Sequence, residues 1–217
     1  MKTYGLYLVD MDDTLYEERQ YVLSGFRVLS ELASDYLGIS PAKAFNFMQQ
    51  HFDTHGREGV LDALLTAHGS EPAAAIIANW VGVYRNHHPD ICLYPGVLDT
   101  LVTLRKTGAC ACIVTDGMTC MQKNKFAALG LAPYVNRVVY CHETGYPKPD
   151  PRCLDGFVRH GQDDAVLIGD RPDHDLALAA NLGIDAIRVR TGRFKNQAST
   201  PWRPVEEIDA FSACFAS

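Results

Sequence analysis

The sequence predicts an α/β fold, with a Rossmann-like parallel sheet as the core domain and a helical bundle inserted after the first strand. Two patterns predict it. In residues 1–16 and 89–217, short apolar runs that end in polar residues alternate with helical segments, which favours βαβ units and a parallel sheet. Residues 17–88 have helical periodicity and no convincing strand. We therefore expect an α/β core domain formed by 1–16 and 89–217 and a helical cap domain formed by 17–88.

The first predicted strand runs through Tyr7 to Val9 and is followed at once by acidic residues. Asp10, Asp12 and Asp13 place three acids within four positions. Carboxylates this close repel one another unless a cation or a shared proton relieves them. Because parallel α/β sheets bind ligands at the carboxyl ends of their strands, a metal-loaded carboxylate site is expected there.

The inserted block predicts four helices. Ser40-Pro41 is an N-cap followed by proline at the first helical position, so the second helix should begin there. The third helix should end at Gly69, and Ser70 should cap the fourth. Four short helices in succession are typical of a small bundle.

Strands and helices alternate again after residue 89. We predict strands at 109–114, 137–140, 165–168 and 186–189, with a helix from Val97 to Gly108 after the Tyr94-Pro95-Gly96 turn. Asp150-Pro151 should open another helix through Phe157. Residues 204–215 are predicted as a peripheral helix.

Polar residues follow four of the predicted strands. In chain order they are Asp10 with Asp12 after the first strand, Thr115 with Asp116 and Gly117 after the second, Lys148 in the loop after the third, and Asp170 with Asp175 after the fourth. In this order they resemble the four motifs of the haloacid dehalogenase superfamily of aspartate-nucleophile hydrolases. The resemblance covers about residues 4–189 and is to the phosphatase branch with an α-helical cap inserted after the first strand. The segment from Thr115 through Gln122 and Lys125 to Leu131 is similar to nucleotide and sugar phosphate phosphatases of this cap type.

The resemblance implies different roles for the first two carboxylates. Asp10 would be the nucleophile that forms an aspartyl phosphate. Asp12 would be the general acid for the leaving oxygen and then the general base for water. Dehalogenases of the superfamily lack an acid at the Asp12 position. A departing halide needs no proton, whereas a departing alkoxide does. Asp13 is interpreted as a structural or outer residue.

The resemblance also implies a Mg²⁺ cofactor and a phosphate site. The Mg²⁺ ligands would be the carboxylates of Asp10 and Asp170 and the main-chain carbonyl of Asp12. Asp175 would act through a water or would orient Lys148.

Thr115, together with backbone N–H groups around Asp116 and Gly117, would hold phosphate oxygens. Lys148 would offset charge on the phosphoryl group. The family often has Asn where this chain has Asp116 and His174.

These residues favour a Mg²⁺-dependent phosphatase of small organic phosphate monoesters of the nucleotide or sugar phosphate type. A phosphomutase of the same superfamily stays open, because it shares the core chemistry. A non-enzymatic receiver-like domain is disfavoured, since it needs a phospho-acceptor Asp after the third strand. Substrate specificity should come from the cap, with Tyr16, Glu17, Arg19 and loops near Gly56 or Gly82 as candidates.

Composition limits the partners. A net charge of −6 argues against a nucleic-acid surface, so the expected partner is a small phosphorylated metabolite. No apolar run approaches the ~20 residues of a membrane span, and the N-terminus lacks a signal-peptide pattern. Seven cysteines, an odd number, in mostly apolar contexts favour reduced thiols. A cytoplasmic protein without membrane partners is expected.

Overall fold

The computed structural model describes residues 2–215, in which six strands form one parallel sheet. The strands are β1 (Leu6–Val9), β2 (Cys110–Thr115), β3 (Arg137–Tyr140), β4 (Ala165–Gly169), β5 (Asp185–Val189) and β6 (Glu206–Ile208). Their order across the sheet is β3-β2-β1-β4-β5-β6, and every neighbouring pair is parallel. The predicted α/β class with a Rossmann-like parallel sheet is confirmed.

Strand β1 lies at the centre of the sheet, and all four of its residues are buried. Leu8 pairs with Cys112 on one side and with Leu167 on the other. A strand buried on both faces reads as a continuous apolar run, which is why the sequence pattern was clear here. The chain order reverses between β1 and β4, and ligands bind at such a switch point beyond the carboxyl ends of the strands. Asp10 follows β1 directly.

The segment after β1 forms four helices: α1 (Glu18–Leu37), α2 (Pro41–His55), α3 (Val60–Ala67) and α4 (Ala74–Asn86). Their apolar faces bury a cluster that includes Phe26, Met48, Leu64 and Trp80. Residues 19–91 form one compact unit, and the remaining described residues form a second. The predicted boundaries after 16 and 88 lie close to these limits, and the role of the helical unit as a cap stays a prediction.

The core unit adds helices α5 (Val97–Lys106), α6 (Thr119–Ala128), α7 (Cys141–Thr144) and α8 (Ala177–Leu182). A single π-helical turn, Pro172–Leu176, precedes α8. The apolar core between these elements and the sheet includes Leu8, Val114, Leu167 and Leu178. Helix α7, at Cys141–Thr144, lies at the start of the segment that we predicted as the loop between the third strand and Lys148.

Capping predictions had mixed outcomes. Ser40 begins α2 as predicted, and its side chain accepts a hydrogen bond from the Lys43 N–H at 3.3 Å. The prediction for Ser70 was wrong, because α4 begins at Ala74 without a side-chain cap. Gly82, which we assigned to a loop, lies inside α4.

Two further segments differ from the predicted helices. Asp150 caps as predicted and accepts from the Arg152 N–H at 3.0 Å, but it opens only a 3₁₀ turn, Pro151–Leu154. The prediction of a helix at 204–215 was wrong, because β6 lies there, followed by the 3₁₀ turn Phe211–Phe215. Strand β6 satisfies backbone groups that β5 would otherwise expose at the sheet edge, and three residues are too few to produce a readable period.

Among residues 2–215, no helix combines the length and the apolar character that crossing a bilayer requires.

Candidate active site

Asp10 occupies the buried end of β1 and is held by groups from several elements. Its backbone N–H donates to the carbonyl of Ile168 at 2.9 Å, which continues the pairing of β1 with β4. Lys148 Nζ donates to Asp10 Oδ1 at 2.6 Å, and Thr14 Oγ1 donates to Oδ2 at 3.2 Å. Both carboxylate oxygens are therefore oriented before any ligand arrives.

Lys148 bridges Asp10 to a second carboxylate. Its ammonium also donates to Asp175 Oδ1 at 2.8 Å, and the Arg171 backbone N–H donates to Asp175 Oδ2 at 3.0 Å. The π-helical turn carries Asp175 back against the end of β4. A Cβ on Gly169 would lie 2.3 Å from Asp175 Cγ, so only glycine at that position leaves room for this carboxylate.

Three buried carboxylates, which we call the acidic cluster, gather at this point: Asp10, Asp170 and Asp175. One oxygen from each lies within 4.8 Å of the others. Burial, and then the charges of Asp10 and Asp175, raise the pKa of Asp170 to about 10. Burial raises the pKa of Asp10 to about 7, with Asp175 and Asp12 adding to the rise and Lys148 opposing it.

The acidic cluster fits a hard divalent cation. Asp170 Oδ2 is buried and has no hydrogen-bond partner among the described residues, whereas both oxygens of Asp175 already accept hydrogen bonds. The two oxygens of Asp10 also accept one hydrogen bond each, so Asp170 has the clearest free acceptor capacity for a metal, and Asp10 would use a remaining lone pair. Asp175 is paired with Lys148. Carboxylate oxygens are the ligands that Mg²⁺ prefers, and one lysine does not offset three buried carboxylates.

Asp12 has entirely different surroundings. Its Oδ1 accepts from the Tyr16 hydroxyl and from Lys125 Nζ, the latter at 2.7 Å, and its Oδ2 accepts from Gln122 Nε2 at 2.8 Å. Burial raises the pKa of Asp12, but the Lys125 ammonium and the three hydrogen bonds outweigh it and hold the pKa below its ordinary value. We did not predict roles for Gln122 and Lys125 in the site. Their spacing of three on a helix that follows the Thr115 strand end was the available signal.

The end of β2 forms a tight loop around the Asp116 carboxylate. Asp116 Oδ1 accepts from the Gly117 N–H at 3.0 Å, and Asp116 Oδ2 accepts from the Lys148 N–H at 3.1 Å. The Asp116 carboxylate thus braces the backbone of Lys148. Thr115 Oγ1 is buried and lacks a hydrogen-bond partner in the described part of the chain, which leaves it able to donate to a ligand.

Asp13 is structural in this arrangement. It adopts a left-handed backbone conformation, with φ 55°, and its carboxylate accepts from the N–H groups of Glu18 at 2.8 Å and Arg193 at 3.3 Å. Thr191 Oγ1 donates to the Asp13 carbonyl. These bonds tie the segment after β1 to the loop after β5.

The sequence profile of the haloacid dehalogenase-like hydrolase family matches residues 7–189. The chain belongs to this family. A glyceraldehyde 3-phosphate phosphatase of Methanocaldococcus jannaschii is 28% identical over 198 residues, which cover 87% of this chain and 86% of the relative. A phosphoglycolate phosphatase of Caulobacter vibrioides is 25% identical over 199 residues, covering 88% and 81% of the two chains. The predicted enzyme class, a phosphoric monoester hydrolase of the haloacid dehalogenase-like family, is confirmed.

Solved structures share the fold. YfnB of Bacillus subtilis, bound to magnesium, has a TM-score of 0.64 at 20% identity and covers 95% of each chain. A 2-haloacid dehalogenase of Pseudomonas syringae has a TM-score of 0.63 at 24% identity, covering 97% of this chain and 96% of its own. Because a dehalogenase shares this fold, the fold alone does not determine whether the leaving group is a halide or an alcohol.

Proposed function

We propose that this haloacid dehalogenase-like hydrolase is a Mg²⁺-dependent phosphatase of small phosphate monoesters that works through an aspartyl phosphate on Asp10. The observation that carries the proposal is the pair of opposite environments at one strand end. Asp10 lies in the acidic cluster beside Lys148, and Asp12 lies two residues on among three hydrogen-bond donors. One carboxylate is suited to attack phosphorus, and the other to move protons.

In the first displacement, a carboxylate oxygen of Asp10 would form a bond to phosphorus while the ester oxygen leaves. Asp12, once it has taken the proton of a monoanionic phosphate ester, would give that proton to the departing oxygen, so an alcohol leaves. In the second, Asp12 would take a proton from water as the water oxygen attacks phosphorus, which releases inorganic phosphate and restores Asp10. Phosphoryl transfer of this kind depends mainly on positioning and charge stabilisation.

Asp10, Asp170 and the main-chain carbonyl of Asp12 would hold Mg²⁺. When bound, the ion would offset the negative charge that the phosphoryl oxygens bring beside the acidic cluster. Lys148 stays paired with both Asp10 and Asp175, so it keeps the nucleophile oriented. Thr115 Oγ1 would donate to a phosphate oxygen. The N–H groups of Gly117 and Lys148 donate to Asp116 instead, so the expected backbone contribution would have to come from other N–H groups near this loop.

The test is a phosphate-release screen with and without Mg²⁺. The panel contains glyceraldehyde 3-phosphate and phosphoglycolate, after the substrates in the names of the two relatives, together with nucleotides, hexose phosphates and acyl phosphates. We expect Mg²⁺-dependent release from at least one short ester. No release from any ester in Mg²⁺ would contradict the proposal.

A phosphomutase would return the phosphoryl group to a second oxygen of the substrate instead of to water. The screen separates it, because isomerised phosphate ester would accumulate in place of free phosphate. The receiver alternative lacks its essential residue, since β3 ends at Tyr140 and is followed by Cys141 instead of an aspartate.

A further inference from the structure

Three side chains surround Asp12, and we call them the Asp12 clamp: Tyr16, Gln122 and Lys125. Tyr16 comes from the segment after β1, and the other two come from α6. Two of the three donate to Oδ1, and Gln122 donates to Oδ2. The clamp therefore fixes the plane of the carboxylate as well as its position.

Helix α6 is placed to deliver two of these donors. Gln122 and Lys125 are three residues apart, so they lie on one face of the helix, and both are buried. Gln122 Nε2 also donates to the carbonyl of Asp116. Because the Asp12 carboxylate and the Asp116 carbonyl can only accept hydrogen bonds, the nitrogen of the Gln122 amide group, and not its oxygen, must face them. A Cβ on Gly117 would lie 2.9 Å from this nitrogen, so glycine at position 117 leaves room for the Gln122 side chain beside the end of β2.

The burial of Lys125 costs desolvation free energy, which a purely structural role would not require. Only 3% of its side chain is exposed, against 20% for Asp12. Burying an ion pair costs desolvation free energy that an apolar pair of similar volume does not cost. A buried ion pair therefore adds little to stability, and its more useful effect is to fix the positions of its two side chains. The geometry fixed here is that of the group assigned to proton transfer.

The clamp also leaves one direction open. A carboxylate offers about four acceptor positions. Among residues 2–215, Oδ1 receives two donors and Oδ2 receives one, so the unfilled position lies on Oδ2. A proton that Asp12 carries without breaking the clamp must sit there.

We propose that Gln122 and Lys125, with Tyr16, are positioning residues that aim Asp12 Oδ2 at the leaving-group oxygen, so that proton transfer needs no reorientation of the carboxyl group. This rests on the proposed function. The proton on Oδ2 moves to the departing ester oxygen in the first displacement, and a water proton returns to Oδ2 in the second. The clamp residues keep their own protons throughout.

The first test compares leaving groups. An alkyl phosphate departs as an alkoxide and needs the proton, whereas p-nitrophenyl phosphate departs as a stable phenolate and does not. Lys125→Met should lower kcat for the alkyl ester about 100-fold and kcat for the aryl ester less than about 10-fold. Lys123→Met, an exposed lysine on the same helix that pairs with Glu143, is the matched control and should change neither.

The second test asks whether Lys125 acts through Asp12. Asp12→Asn should show the same preference for the aryl ester, and adding Lys125→Met to it should cost no further activity, because residues that act as one unit are not additive. An extra loss in the double variant would overturn the proposal. So would equal losses for the two esters in the single Lys125→Met variant.

A third variant guards against a folding failure. Tyr16→Phe keeps the buried ring and removes only one donor from Oδ1, so it should show the same selective loss at a smaller size. If Tyr16→Phe and Lys125→Met both fold and neither discriminates between the esters, the clamp is only structural. An unmodified protein that releases phosphate from no ester would instead refute the proposed function itself, so the two failures are distinguishable.

Discussion

Asp10 and Asp12 stand two residues apart, yet the two regions around them have opposite electrostatics. In the described part of the chain, the region around Asp10 contains two further buried carboxylates and one lysine, Lys148, and burial raises the pKa of Asp10 to about 7. The region around Asp12 supplies an ammonium, a hydroxyl and an amide to a single carboxylate. Although burial raises the pKa of Asp12, those donors bring it below its ordinary value.

The two regions differ in the source of the positive charge that offsets their carboxylates. The Asp12 clamp carries its own cation in Lys125. When its three carboxylates are ionised, the acidic cluster has more negative charge than Lys148 can offset, which is why we propose that it binds a cation from solution. Substitutions in the two regions should therefore respond differently to Mg²⁺.

The largest effect is expected from Asp10→Asn. An amide cannot form the aspartyl phosphate, so phosphate release should fall at least about 10⁴-fold and no phospho-enzyme should be trapped by acid quench. Thermal unfolding without Mg²⁺ should show no loss of stability, because one charge leaves the acidic cluster. Retention of more than a small fraction of activity would mean that another residue is the nucleophile.

Asp170→Asn should act through the metal. Activity at limiting Mg²⁺ should fall at least about 100-fold, and the rise in Tm that Mg²⁺ produces should shrink or vanish. Asp173→Asn is the matched control, since Asp173 lies in the same segment, is half-exposed and pairs with Arg171. A Mg²⁺ response equal to that of the unaltered protein would place the metal elsewhere.

Gly169→Ala should disturb the same region without removing a charge. The added Cβ would meet Asp175 Cγ at 2.3 Å, so Asp175 must move away from Lys148. Overpacking of this kind costs about 1–3 kcal/mol of unfolding free energy, and we expect activity to fall about 10-fold. Chemical denaturation and steady-state kinetics measure the two effects. Unchanged stability would show that the strand end is more adaptable than its packing indicates.

The smallest effect is a pH dependence of the response to Mg²⁺. The folded-state pKa of Asp10 is raised from 3.8 to about 7 and that of Asp170 from 3.8 to about 10, so the folded protein holds these protons more tightly than the unfolded chain. The metal-free protein should lose stability as pH rises above about 4. Because Mg²⁺ binds the ionised carboxylates, the rise in Tm that it produces should be small at pH 5 and several degrees larger at pH 8. A Mg²⁺ response that does not grow with pH would contradict the charge imbalance.

Prediction from sequence succeeded where a local pattern matched the final environment. Buried strands such as β1 and β4 are continuous apolar runs, and polar residues at their ends lie on one edge because the strands are parallel. It failed where the pattern was short or tertiary contacts overrode it. Strand β6 has three residues and exists because β5 offers it an edge. Ser70 has a good capping side chain, but the helix begins four residues later.

The sequence by itself determined the family, the sheet and the identity of the residues at its carboxyl edge, because motif order and apolar periodicity are local properties. Only the tertiary structure decided what surrounds each carboxylate. Lys125 lies 113 positions from Asp12 in the chain, and Asp116 braces Lys148 across 32 positions. Such pairings depend on the packing of α6 and of the Lys148 loop against the strand ends, and no local pattern encodes them. Two aspartates that look alike in the sequence thereby acquire opposite pKa shifts, which is the basis of the separate tasks we propose for them.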